Sequence, residues 1–236
     1  MTSGTGPRYA RDRDMTLGKA FATFLRELPP KFLILNLVGW IAYRTWLATQ
    51  GDVGLADLVP LLGIPLFHPF AEWLIHVHIL HHRPRRVLAG VVGEQGLRWD
   101  YHAARYHRLH HRDPWDLRFV LMPLPAMAVG GLAMGLGAWL LAPSMGVFAT
   151  TMLLASAAAL YYEWIHFLTH TSYHPRGWFY KRQWRFHRLH HYKNERYWMG
   201  VTRHLGDMVL GTMPDPEKVE SSKTARTLGV EDTLGA

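Results

Sequence analysis

The sequence predicts an all-α integral membrane protein, with four transmembrane helices in two hairpins and a cytoplasmic helical cap that carries a histidine cluster. Three observations lead to this prediction. Apolar residues make up 49% of the 236 residues and concentrate in four long runs. Lysine and arginine fall mainly between those runs, and twelve of the sixteen histidines lie in four short windows.

The four apolar runs lie at about 32–49, 54–80, 119–142 and 145–168. Each approaches the roughly 20 residues that a helix needs to cross a bilayer. Arg44, near the end of the first run, can extend its charge to the interface. The links inside each pair are short, which predicts two hairpins. Cations gather before the first run, after the second and after the fourth, so both termini and the histidines are expected on the cytoplasmic side.

The remaining composition narrows the classes of function. Residues 1–31 are expected to form a basic cytoplasmic segment without a cleavable signal, and residues 213–236 a polar, partly mobile tail. The chain has no cysteine, which excludes disulfides, thiolate metal sites and cysteine nucleophiles. The net charge of +8 is banded beside the apolar runs, and no nucleic-acid-binding motif accompanies it. This basic face is suited to lipid headgroups or an acidic electron-transfer protein.

The histidine windows have helical spacing. The pentapeptide His-Arg-Leu-His-His occurs at 107–111 and again at 187–191, and His166 and His170 are four residues apart. Residues three and four apart share a helix face. The first window is ambiguous, because 78–82 reads as HxxHH while His76 and His81 form HxxxxH. A spacing of five separates two side chains by about 140° on an α-helix, so they reach different metals or the helix ends locally.

Clustered imidazoles are typical ligands of iron, zinc and copper. Eight to ten of them exceed the needs of one ion, which favours two metals with open coordination positions. Glu72 and Glu163 precede histidines inside apolar runs, where an unpaired carboxylate is costly. Each is expected either to fix a ligand imidazole or to pair with an arginine. The sequence assigns no role to four further histidines: His78, His82, His174 and His204.

The four boxes in this order resemble the fatty acid hydroxylase and sterol desaturase superfamily of integral membrane, histidine-box di-iron oxygenases, and are closest in pattern to fatty acid 2-hydroxylases. The similarity extends to Asp113-Pro114-Trp115-Asp116, Gly200-Val201-Thr202 and Asp207. It implies a hydroxylase domain at 32–212, with Glu72, Glu163 and Asp207 supporting the metal ligands. The implied ligands are His76, His81, His107, His110, His111, His166, His170, His187, His190 and His191.

The resemblance implies an O2-dependent hydroxylase of a lipid, most simply a fatty acyl chain, with two iron ions. Zinc can occupy such a nitrogen-rich site in purified protein. The haem-carrying domain fused to many eukaryotic relatives is not seen, so electrons are expected from a separate cytochrome or ferredoxin-type donor. Two alternatives stay open: a sterol or carotenoid hydroxylase or desaturase of the same superfamily, and a non-catalytic membrane metal-binding protein.

Overall fold

The computed structural model describes residues 12–230. The ends of the predicted N-terminal segment (1–11) and C-terminal tail (231–236) lie outside the described residues. The described chain is mostly helical. Its elements are α1 (Leu17–Phe24), α2 (Leu28–Thr49), α3 (Leu58–Ile75), β1 (Arg85–Val87), β2 (Leu97–Trp99), α4 (His102–Arg112), α5 (Leu117–Val120), α6 (Leu124–Leu141), α7 (Met145–Thr169), α8 (Trp178–Tyr192) and α9 (Leu205–Leu210).

Four helical stretches are long and apolar enough to cross a membrane: Leu28–Thr49, Leu55–Leu80, Leu117–Leu141 and Met145–Thr169. They overlap the four predicted runs. Local sequence explains their starts. Prolines occupy the first turn of α2, where the missing N–H removes no helical hydrogen bond. The side chain of Ser144 accepts from the Val147 N–H and caps α7.

Helix α7 is central and packs against α2, α3 and α6. A network of buried polar side chains connects α2, α7 and the turn before α3. Arg44 Nη2 lies 3.2 Å from Asp57 Oδ1, and Arg44 Nε donates to Thr150 Oγ1 at 2.7 Å. The Thr150 hydroxyl in turn donates to Asp57 at 2.6 Å. Arg44 is therefore neutralised within the helical bundle, where an unpaired charge would be costly.

The prediction of an all-α chain is wrong for residues 85–99, where β1 and β2 pair antiparallel. Positive φ angles at Gly90, Gly93 and Gly96 allow the chain to reverse between the strands. The sequence pattern was dominated by the helical periods on either side, which masked two three-residue strands.

The C-terminal segment from residue 213 to 230 lies across the histidine end of the bundle. Ala225 and Leu228 are buried. The Ser222 N–H donates to the Lys193 carbonyl at 2.7 Å, and the Thr224 hydroxyl donates to Glu195 Oε1 at 2.6 Å. The predicted polar tail therefore contributes directly to the surroundings of the histidines.

Candidate metal centre

The spacing of His76 and His81 is accommodated by a π-helical turn. Beyond α3 the chain continues as one π turn over His76–Leu80, closed by the His81 N–H donating to the His76 carbonyl at 3.0 Å. A π turn brings residues i and i+5 together, where an α-helix would separate them. The two imidazole rings lie 4.8 Å apart between centroids. HxxxxH is therefore the pair that this window brings together.

The ten histidines of the four boxes come together in two groups of five. Within each group, one nitrogen from every ring lies within 4.8 Å of the others. Nine of the ten are buried, and His81 is half-buried. The first group is His76, His81, His107, His111 and His190; the second is His110, His166, His170, His187 and His191. The groups are neighbours, with the rings of His111 and His191 only 4.2 Å apart.

Hydrogen bonds fix the tautomers of three rings in the first group. In each of these rings Nδ1 donates to a main-chain carbonyl. His76 donates to Met199 at 2.6 Å, His111 to Ala225 at 2.8 Å and His190 to Tyr197 at 2.8 Å. A carbonyl only accepts, so each Nδ1 carries the proton and each Nε2 presents a lone pair.

These lone pairs point at one another. The Nε2 atoms of His111 and His190 lie 3.2 Å apart, although neither carries a proton to share. Two acceptors at that distance repel unless a cation lies near both. The donor set therefore fits a metal ion, in the arrangement typical of ligand histidines held by carbonyls through their second nitrogen.

The second group has the same inward geometry with less support from carbonyls. Its Nε2 pairs lie at 3.1 Å between His110 and His166 and at 2.9 Å between His170 and His187. Within residues 12–230, the buried Nδ1 atoms of His187 and His191 have no hydrogen-bond partner. The two groups thus offer similar donors in different surroundings.

Burial keeps these imidazoles neutral. Desolvation lowers the pKa of His111 and of His190 to about 3. It also lowers the pKa of His107 and His187 well below the ordinary value, with neighbouring imidazoles adding to the effect. Neutral imidazole is the form that binds metal, so the rings are prepared for coordination at neutral pH.

Two of the three predicted supporting acids bind the loop that carries Met199. The carboxylate of Glu72 accepts from the N–H groups of Val201 and Thr202 and, at 2.6 Å, from the Thr202 hydroxyl. Asp207 accepts from the Met199 and Gly200 N–H groups, each at 2.7 Å. Both acids therefore hold the loop whose Met199 carbonyl orients His76. Glu72 thus acts on the loop backbone, and not directly on a ligand imidazole or an arginine as the sequence suggests.

Glu163 lies one helical turn before His166 and accepts from the Met122 N–H at 3.2 and 3.3 Å. Met122 belongs to the turn between α5 and α6. This bond fixes the chain that leaves the second histidine box against α7, and it gives the buried carboxylate the polar partner it needs.

The four histidines without an assigned role lie outside both groups. His204 is buried, with Nδ1 3.2 Å from Asp207, while His174 is exposed and donates to the Ser172 carbonyl. His78 packs near Trp73, and His82 near Tyr101. Sequence reasoning missed the carbonyls of Met199, Tyr197 and Ala225, because a main-chain acceptor has no side-chain signature.

Two cavities lie near the bundle. The larger, of about 710 Å³, is lined by Leu160 and Trp164 on the face of α7 that points away from His166. The smaller, of about 310 Å³, reaches the first group through His81. Its lining is apolar at Trp73, Val77, Met199 and Leu228 and charged at Arg83, Glu195 and Arg196.

The fold and the site define a class: a mostly helical protein with four membrane-length helices, in which clustered histidines form two adjacent groups that could each hold a metal ion. The fatty acid hydroxylase family model matches residues 61–212, most of the chain. The chain therefore belongs to the fatty acid hydroxylase family. A solved structure of full-length scs7p, with only its hydroxylase domain visible, is similar with a TM-score of 0.59 and 21% identity, covering 78% of this chain and 67% of that one. At that identity the likeness shows a shared fold. No curated protein matches the sequence.

Proposed function

We propose that the protein is a membrane-bound di-iron oxygenase that hydroxylates a lipid, most simply a fatty acyl chain. The observation that carries this proposal is the pair of facing Nε2 lone pairs in a buried ten-histidine cluster of a fatty acid hydroxylase family member. The ten box histidines are the proposed ligands, five to each ion. Iron supplies the redox chemistry that activates dioxygen; zinc cannot.

The reaction converts a substrate C–H into C–OH. One oxygen atom of O2 enters the product and the other leaves as water, with two protons and two electrons from a separate cytochrome or ferredoxin-type donor. The chain's own contribution is to hold neutral imidazoles in place and to exclude water from them. Burial of nine of the ten histidines supports that role.

The proposed topology has two helical hairpins, with both termini and a histidine-bearing cap on the cytoplasmic side. The hydroxylase domain would span residues 32–212. The smaller cavity suits an amphiphilic substrate, because its lining combines Trp73 and Val77 of a membrane-length helix with the charged residues Arg83 and Glu195. An acyl chain would contact the apolar side chains and reach His81, and a headgroup would meet the charged ones.

The test is iron-reconstituted protein in nanodiscs, supplied with dioxygen, reductant and labelled lipids. Fatty acids, sphingolipids, sterols and carotenoids are compared by mass spectrometry. We expect one hydroxylated product that carries oxygen from labelled O2. A matched pair of variants on α4 completes the test: His107→Ala removes a member of the first group, and His102→Ala alters an exposed histidine on the same helix.

His107→Ala should abolish the product and lower the bound iron, while His102→Ala should retain both. Absence of any oxygenated product across the four lipid classes, with iron bound, would refute the proposal. A desaturated product would keep the metal centre and change the reaction.

A further inference from the structure

The β1–β2 hairpin, residues 85–99, has surface features that the proposed chemistry does not use. It follows the helical stretch Leu55–Leu80 after a four-residue link. An extended chain advances at most about 3.6 Å per residue, so the base of the hairpin lies within about 18 Å of that helix end. If the helix crosses a bilayer, the hairpin starts close to the lipid headgroups.

The tip of the hairpin exposes large apolar side chains. A turn closed by the Val91 N–H donating to the Leu88 carbonyl leaves Leu88, Val91 and Val92 exposed by 53%, 77% and 51%. Turns that face water are usually built from Gly, Asn, Asp, Ser and Pro. Leu88 also has a φ of +56°, which a residue with a side chain adopts only at an energetic cost. Among the described residues, no packing buries the Leu88 side chain to offset the cost of this backbone conformation.

Arginines and a tryptophan lie behind this tip. Arg86 and Arg98 are direct partners across the strands, and Arg85 is paired with Trp99. Like charges in direct register repel each other. Arg86 donates to the Gln95 carbonyl at 3.0 Å and to the Gln95 side chain at 3.2 Å, which joins β1 to the second half of the loop. Guanidinium groups bind phosphate oxygens in a bidentate geometry, so Arg86 and Arg98 are suited to lipid phosphates.

From tip to base, the hairpin follows the order of the layers at a bilayer surface. Apolar side chains come first, then arginines and an aromatic ring, as in the interfacial residues of membrane proteins. We propose that the hairpin anchors the histidine-bearing face to the membrane, with its tip among the acyl chains and Arg86 and Arg98 on the phosphates of anionic lipids. Helix α4 begins three residues after β2, and the π turn His76–Leu80 ends shortly before β1. The anchor would therefore hold both of these histidine-bearing elements at the bilayer surface.

The absence of cysteine permits a direct test. Val91→Cys is labelled with an environment-sensitive dye, and the protein is placed in nanodiscs of phosphatidylglycerol or phosphatidylcholine. Doxyl-labelled lipids quench from within the bilayer, and iodide quenches from water. Leu132→Cys, 75% exposed on α6, is the bilayer reference, and Glu217→Cys, exposed near the C-terminus, is the aqueous reference.

We expect the Val91 label in phosphatidylglycerol to be quenched by doxyl lipids as Leu132 is, and to be protected from iodide. Arg86→Gln with Arg98→Gln should lower the inserted-to-free ratio by about fivefold per arginine in anionic discs, since each cation near such a surface is worth about that factor. In phosphatidylcholine the same double variant should have little effect.

Two results would overturn the proposal. A Val91 label that iodide quenches as strongly as the Glu217 label places the hairpin in water. Protection from both quenchers in detergent as well as in nanodiscs places it against protein, either a second copy or another partner. Because metal content and turnover are not measured here, either result leaves the proposed hydroxylase reaction untouched.

Discussion

Asp207→Asn tests whether the loop behind His76 controls the metal centre. Asp207 is buried and accepts from the Met199 and Gly200 N–H groups and from the Thr212 hydroxyl at 2.6 Å. An asparagine keeps one acceptor oxygen and replaces the other with a donor. At the Oδ1 position its NH2 group would face the Met199 N–H, and at the Oδ2 position it would face the Gly200 N–H, so at least one buried donor loses its acceptor.

The expected cost follows from those contacts. Leaving a buried donor unsatisfied costs about 1–3 kcal/mol, and the remaining bonds lose the strength that a charged acceptor gives them. We therefore expect a loss of about 2–4 kcal/mol. For a chain of this length that corresponds to a fall in Tm of roughly 4–16 °C. The Met199 carbonyl should shift with its N–H, weakening the hold on His76 and lowering the bound metal.

The assay compares Asp207→Asn with Asp215→Asn in the same detergent or nanodisc. Asp215 is exposed and caps a single turn through the Glu217 N–H, so it controls for removing one carboxylate. Thermal unfolding and metal content per chain are measured together. If both variants melt alike and bind equal metal, the inference that Asp207 acts through the Met199 loop is wrong.

Three further predictions address other parts of the molecule. Burial lowers the pKa of His111 and His190 to about 3, so these residues bind fewer protons in the folded protein than in the unfolded chain. The metal-free protein should therefore lose stability as the pH falls from about 6.5 towards 3. A Tm that stays constant from about pH 8 to pH 5 would contradict this prediction. Asp57→Leu should destabilise by about 3 kcal/mol by leaving its arginine partner unpaired, and replacing both residues with leucine should recover much of that loss in a double-mutant cycle. Deleting 222–236 removes the carbonyl acceptor of His111 and should lower the bound metal, whereas deleting 231–236 should not; equal metal in both would show that the segment is dispensable.

The sequence predicted those features that depend on side-chain type and on the helical period. The four membrane-length helices followed from apolar runs, and the two HxxHH boxes followed from the pairing of i with i+3 and i+4. The HxxxxH pair was harder, because α-helical geometry separates its two members. The structure resolves this with a π turn, which has no simple compositional signal.

The rest depended on contacts between distant parts of the chain. Glu72 meets Thr202, and His111 meets the carbonyl of Ala225, across more than a hundred residues. Nothing in the local sequence of either acceptor or donor identifies the other. Ala225 in particular contributes only its main-chain oxygen, and the polar residues around it predicted no more than a polar, partly mobile tail.

The order in which the ten histidines are made has a consequence for maturation. Each group combines early residues with late ones, since the first group needs both His76 and His190, and the second needs both His110 and His191. A ribosome releases these residues in sequence, and Ala225 follows last of all. The membrane-length helices are therefore complete before either group can close around an ion. Under the proposed function, metal capture becomes a step after these helices have formed, and a cell short of the metal would accumulate helical but metal-free chains.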